Sequence, residues 1–222
     1  MQHIRRSSLC VPLVLVISLA AACRPDDKSS RKLPPLPSEQ ARTPGPVKPN
    51  TPNPHAAGVE NAGKVTAAGI EFEVPKGWKY TKPASTMRVA ELLVPSSGGD
   101  SADAGIIVFF FKGGAGNFDQ NVDRWASQLS LPDGTPLTRD KATIRELQLG
   151  AATAKIFEGD GNFTDTTPTG EVKGKIAGAK MIVAMLDQAD GGYFFKLTGP
   201  ARTVTDAKPI FEEMLKSVKV KK

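Results

Sequence analysis

The sequence holds two cysteines and two histidines in 222 residues, and none of the four lies beyond residue 55. They are Cys10, Cys23, His3 and His55, so residues 64–222 carry neither a thiol nor an imidazole. That absence excludes disulfides, thiolate or imidazole metal ligation and a thiol nucleophile from this part of the chain. It also excludes a Ser-His-Asp triad, whose base is an imidazole. An enzyme built here has carboxylates, Lys and Tyr to work with. The fold must be held by its core alone, and a stretch of this length buries about 70% of its unfolded surface, enough to do so.

A net basic surface is missing as well, although the formal charge is +6 and the pI about 9.3. Residues 1–63 hold 8 Lys and Arg against 4 Asp and Glu, leaving 21 against 19 for residues 64–222. Such a balance lacks the electrostatic footprint of a nucleic-acid binder. The small basic cluster Lys216, Lys219, Lys221 and Lys222 reads as a solvated terminus. A weak attraction to anionic lipid or cell-wall polymer is the alternative.

The apolar stretch of residues 9–22 is shorter than the roughly 20 residues a bilayer-spanning helix needs. Preceded by Arg5 and Arg6, residues 1–22 read as a secretory signal. Ser18-Leu19-Ala20-Ala21-Ala22-Cys23 resembles the lipobox of bacterial lipoproteins, in which the cysteine becomes the first mature residue and carries lipid. The usual Leu three positions before the cysteine is Ala20 here, with Leu19 one position earlier. The resemblance implies acylation of Cys23 by palmitate-like chains and a membrane reached through them. Each buried methylene contributes about 0.8 kcal/mol, so several chains anchor stably. Arg24, where an Asp would imply inner-membrane retention, implies the outer membrane facing the periplasm. An ordinary signal cleaved near Ala22 is the alternative.

Residues 23–63 include "RKLPPLPSEQARTPGPVKPNTPNPHAAG". So much proline and so few aromatic or β-branched residues predict a disordered tether, extended at about 3.1 Å per residue where polyproline-like. Pro34-Pro35-Leu36-Pro37 offers a docking motif for an aromatic groove as a sharper reading. Residues 64–222 are expected to form a single domain.

Within that domain, alternation predicts strands at residues 70–74 and 88–94. The run 106–111 predicts a central strand covered on both faces. Asn117, with Gln120 three residues on, predicts a helix start. Phe118, Val122, Trp125, Ala126 and Leu129 form its inner face, and Pro132-Asp133-Gly134 ends it. Strands follow at 143–149, 153–158, 179–186 and 193–198, with Asp190-Gly191-Gly192 as a hairpin turn. The last helix is expected at 205–218, with Phe211, Met214, Leu215 and Val218 inward and Pro209 in its first turn. The sum is an α+β domain of mainly antiparallel sheet with two helices.

"FEVPKGW" (72–78), "FFFKGGAG" (109–116), "DRW" (123–125) and "GGYFFKLTGP" (191–200) resemble a family of bacterial lipoproteins of the planctomycete type, over nearly all of residues 66–218. The order of elements is similar to the PsbP-like fold, which includes photosystem II PsbP, a Ran-binding nuclear import factor and periplasmic DcrB. The resemblance implies partner binding rather than catalysis.

The glycine-rich turn after Phe111 invites a phosphate-loop reading. Asn117-Phe118-Asp119 stand where a P-loop needs Lys and Ser or Thr, and no third Rossmann glycine follows. The glycines therefore read as a tight strand-to-helix turn. Asp100 with Asp103, and Asp187 with Asp190, are candidate oxygen ligands for a cation, without EF-hand spacing; turn chemistry is the simpler reading. Glu71 and Glu73 read as a solvated strand face. Tyr193, Phe194, Phe195, Trp78 and Tyr80 read as core filling or as a partner-binding patch. No catalytic, cofactor or metal residue is assigned, and Cys23 is the lipidation site. The expected function is a non-enzymatic, lipid-anchored envelope protein that binds an envelope protein or component. A module for a small ligand or metal is the rival.

Overall fold

The structure is a computed structural model and describes residues 59–61, 63–83, 85–114, 116–166 and 172–221, all within one unit spanning Lys48–Lys222. The signal, Cys23 and the proline-rich stretch up to residue 58 lie outside the described residues. In chain order the first elements are β1 (Val59–Asn61), β2 (Lys64–Ala67), β3 (Ile70–Glu73), β4 (Lys79–Thr81), β5 (Arg88–Val94) and β6 (Ala104–Lys112). Helix α1 (Phe118–Ala126), β7 (Leu129–Ser130), β8 (Thr143–Leu149) and β9 (Ala152–Thr166) follow. The chain continues through β10 (Val172–Gln188), β11 (Gly191–Pro200), α2 (Ala201–Lys216) and β12 (Lys219–Val220).

The strands make a small sheet in the order β1-β2-β3-β12 and a large one in the order β4-β5-β6-β11-β10-β9-β7, with β8 also on β9. The pairings are antiparallel. With two helices packed on this sheet, the domain is α+β, as the pattern of elements implied.

Side-chain parity divides the large sheet into two faces. Ile106, Val108, Phe110, Phe195 and Leu197 point to one core, shared with Phe72 of the small sheet and Phe211 and Met214 of α2. Phe72 meets Phe195 edge-on at 5.7 Å. On the opposite face Phe157, Val183 and Phe194 form a second core with Val122 and Trp125 of α1. The small sheet and α2 therefore cover one face, and α1 covers part of the other.

Several boundaries differ from the sequence reading. The strand β1 lies inside the stretch expected to be linker, paired to β2 from Val59↔Thr66 to Asn61↔Lys64. The strands expected at 153–158 and 179–186 are the inner parts of β9 and β10, which continue outward as a polar hairpin arm. There the backbone ladder, rather than apolar alternation, maintains the strands. Helix α1 ends at Ala126 rather than at 132–134, and Leu129 leaves the helix to pair in β7 with Phe163. Asn117 does cap α1, accepting from the Gln120 amide at 2.8 Å.

Helix α2 begins at Ala201, not Thr205, so Pro209 sits mid-helix rather than in the first turn. The reason is a cap supplied from far away. Asp100, in the β5–β6 loop, accepts from the Thr203 amide at 2.7 Å and the Thr203 hydroxyl at 2.8 Å. Pro209 removes one backbone donor, and the burial of Ala207, Phe211, Met214 and Leu215 on that helix offsets the loss. The strand β6 is central but not covered on both faces. Ile106, Val108 and Phe110 are buried, whereas Ile107, Phe109 and Phe111 are half-exposed.

Two glycines of β9 let the β7 segment press onto the sheet. A Cβ on Gly161 would stand 2.6 Å from the Ser130 carbonyl oxygen, whereas one on Gly174 of the outer arm would meet nothing within 4 Å. Gly161→Ala is expected to destabilise the domain by about 1–3 kcal/mol, with Gly174→Ala near neutral. The urea unfolding midpoints of the two variants check this.

Candidate functional site

The uncovered part of the outer face forms a cleft of about 280 Å³ between α1, the outer face of β6 and the end of β9. Its floor is aromatic. Phe109 and Phe111, two residues apart on β6, stack with centroids 6.2 Å apart. Phe111 meets Phe194 of β11 edge-on at 5.5 Å, and Phe194 meets Trp125 at 5.7 Å. Such edge-to-face contacts suit the ring quadrupoles. Alternation along β6 puts both rings on the face opposite Val108 and Phe110.

Lys196 stands on the same face, opposite Ile107 of β6 and Val183 of β10. Its ammonium donates to Gln128 Oε1 at 2.5 Å and lies 4.8 Å from the centre of the Phe163 ring. Among the described residues it makes no ion pair. Burial pushes its pKa from the ordinary lysine value down to about 8. Asp165 on β9 opposes that shift, while Arg124 on α1 and Arg88 on β5 add to it. Arg124 stands at the cleft wall, its guanidinium held by Asn121 Oδ1 at 2.6 Å. Arg88 is paired with Glu91 at 3.1 Å. The lining thus carries two cations, Lys196 and Arg124, against one carboxylate, Asp165. The arrangement can bind an apolar body on the rings and an anionic group at the lysine.

A second charged cluster differs in kind. Glu158 is buried and takes Arg145 Nε at 2.9 Å and Lys208 Nζ at 2.8 Å, while Arg145 also reaches Glu212 at 2.5 Å. Burial acts to raise the Glu158 carboxyl, and the Lys208 and Arg145 contacts outweigh it and hold it below its usual value. The pairs here are mutually satisfied and join β8 and β9 to α2.

The residues singled out in the sequence are mostly consumed by the fold. Gly113, Gly114 and Gly116 have φ of 79°, 98° and 80°. The Gly113 amide donates to Asp190 O at 3.0 Å and the Gly114 amide to Phe111 O at 3.1 Å, so this is a turn. Asp100 caps α2, and Asp103 accepts from the Ser96 amide at 2.8 Å. Asp187 pairs with Gly192 across the β10–β11 hairpin, and Asp190 supplies the carbonyl just named. Glu71 receives Lys221 at 3.0 Å and Lys64 at 3.9 Å, and the Glu73 amide donates to Ser217 Oγ at 2.9 Å. Lys219 belongs to β12, so the lysine-rich end is paired into the small sheet.

Of the aromatic candidates, Tyr193 and Phe195 face the core beneath α2, and Trp78 and Tyr80 pack at its edge. Phe194 lines the cleft. Cys23 lies outside the described residues. Among the described residues no group of three or more His, Cys, Asp or Glu side chains is placed to hold a metal ion, and no helix is long and apolar enough to cross a membrane. Sequence reading missed Lys196, Arg124 and Gln128. A lone lysine inside the apolar run of a central strand, "YFFKL", was the available signal.

Lys196 lowers the stability of the fold where it is charged. Its folded pKa is about 8 and its unfolded value about 10.4. Between these values the unfolded chain binds more protons, so stability rises with pH across that window and falls as pH drops through the folded value. The cost is at most about 3 kcal/mol. Lys196→Met is therefore expected to raise Tm at pH 7, with the gain shrinking between pH 8 and pH 10. Paired thermal unfolding across pH checks this against the charges facing Lys196, which are Arg124, Arg88 and Asp165.

No protein-family model and no curated protein matches the sequence. Among solved structures, the chain is similar to cyanobacterial PsbP (CyanoP) from Synechocystis sp. PCC 6803, with 14% identity and a TM-score of 0.40 over 68% of this chain and 86% of that one. It is also similar to a Bacteroides thetaiotaomicron protein, with 13% identity and a TM-score of 0.34 over 76% of this chain and 49% of that one. A PsbP-like protein is thus a structural neighbour at low identity, and the likeness is one of fold.

Proposed function

We propose that this chain is a non-enzymatic binding module of the cell envelope, anchored through lipid on Cys23, and that the outer-face cleft holds its ligand. The observation that carries the binding reading is the half-open aromatic floor of Phe109 and Phe111 beside a lysine that makes no ion pair among the described residues. Apolar floors with a few convergent polar groups are the usual form of small-ligand sites. The geometry favours a small envelope ligand over a broad protein interface. Among the described residues, the exposed large apolar side chains Leu93, Ile144, Val172, Ile210 and Val220 each stand on a different element, and the most exposed one, Met87, lines the cleft.

The envelope setting rests on the lipobox-like stretch ending at Cys23, the outer-membrane site facing the periplasm on Arg24 after it, and the planctomycete-type lipoprotein family on the motifs at 72–78, 109–116, 123–125 and 191–200. Without imidazole or thiol in residues 64–222, and with the Asp100 and Asp103 carboxylates occupied by Thr203 and the Ser96 amide, binding is the simpler role.

Two experiments test this. A neutral apolar dye is expected to brighten on binding the full-length protein, and Phe111→Ser is expected to weaken it about tenfold; equal dye affinity in both proteins rejects the cleft. Mass spectrometry of protein from bacterial envelopes is expected to find acyl mass on the N-terminal cysteine, lost in Cys23→Ser. Wild-type protein recovered without acyl mass rejects the anchor.

A further inference from the structure

We propose that the cleft ligand is a small amphipathic carboxylate, its apolar body on the Phe109–Phe111–Phe194 surface and its carboxylate received by Lys196 beside Arg124. This rests on the cleft being a binding site and names the chemistry it selects. The argument is one of charge complementarity. Lys196 is half-buried, and its one hydrogen-bond acceptor among the described residues is the neutral oxygen of Gln128. A buried cation left without a counter-charge is costly, and proteins ordinarily pair it. Here pairing is withheld. Asp165 lies on the same wall without forming an ion pair, and Arg124 adds a second positive group.

Glu158 provides the internal contrast, since that buried charge is fully matched by Arg145 and Lys208. The same fold therefore neutralises one buried charge and leaves another exposed to a cavity. An incoming carboxylate supplies the missing partner, since it brings the ammonium a counter-charge that the neutral Gln128 oxygen lacks. The body of the ligand is set by the floor. Phe109, Phe111 and Phe194 offer ring faces and edges and Met87 stands at the lip, while Gln128, Asp165 and Thr166 join the two cations as the polar part of the lining. A volume of about 280 Å³ sits at the low end for small-ligand sites. It suits one short or medium alkyl or aryl chain rather than a whole membrane lipid.

The test is calorimetric titration of the full-length protein at pH 7 with decanoate, decanol and decyltrimethylammonium. Decanoate is expected to bind at least about tenfold more tightly than decanol, and the cation weakest. Lys196→Met is expected to abolish the preference for the acid, bringing decanoate affinity down to that of decanol in the same variant. Equal affinity for acid and alcohol in the wild type overturns the carboxylate assignment and leaves the apolar cleft standing. Absence of binding by every amphiphile overturns both. A preference that survives Lys196→Met unchanged also overturns the assignment. If that variant does not fold, the wild type decides alone: the acid preference is expected to fade as pH rises toward 10.5, and its persistence there overturns the role of the ammonium.

Discussion

Trp125 seats α1 on the large sheet, and the position of everything on the outer face follows from that seat. Its ring touches Phe118 of its own helix, Phe157 of β9 and Phe194 of β11. A helix is about 10 Å across, while the seven strands on the large sheet's main path span about 29 Å at their usual spacing. One short helix cannot cover such a surface. Because Trp125 fixes α1 over β9, β10 and β11, the uncovered remainder falls on β6, where Phe109 and Phe111 are left half-exposed. The glycines of β9 reinforce the placement by admitting Leu129 and Ser130 against the sheet.

The two charged clusters show how differently one fold can treat buried charge. Around Glu158 every charge meets an opposite one, and the network joins three elements. Around Lys196 the near neighbours among the described residues are a neutral amide, an aromatic ring and two further cations, with Asp165 opposing them. A site that lowers stability without serving the core is most simply retained for a task. The cost is moderate because the lysine stem lies along apolar surface while its head keeps access to the cavity.

Much of the architecture was legible because local signals agreed with the final fold. Asn117 with Gln120 marked the start of α1, and Asp190-Gly191-Gly192 marked the β10–β11 hairpin, although its turn is Ala189-Asp190 and both glycines open β11. The alternation of β6 was also visible, since Phe109 and Phe111 share parity and oppose Val108 and Phe110. What alternation could not supply was the extent of the layer above it. Likewise nothing local announced that Asp100 would cap α2 across 103 residues, and so the helix start was placed late. The polar ends of β9 and β10 carry no periodic apolar signal, because their strands persist through pairing with each other. Lys196 was the least legible residue. A single lysine in an apolar run reads as an edge or a snorkelling side chain until its two neighbouring strands are known.

The small sheet brings together strands from opposite ends of the described chain. β1 and β12 flank β2 and β3 in one four-stranded unit, packed on the face of the large sheet that carries Phe195 rather than Phe194. The carboxy-terminal strand therefore emerges on the far side of the molecule from the aromatic opening. An affinity handle or surface linkage attached at that end leaves the opening facing solvent, and a soluble ligand approaches it without passing the attachment point.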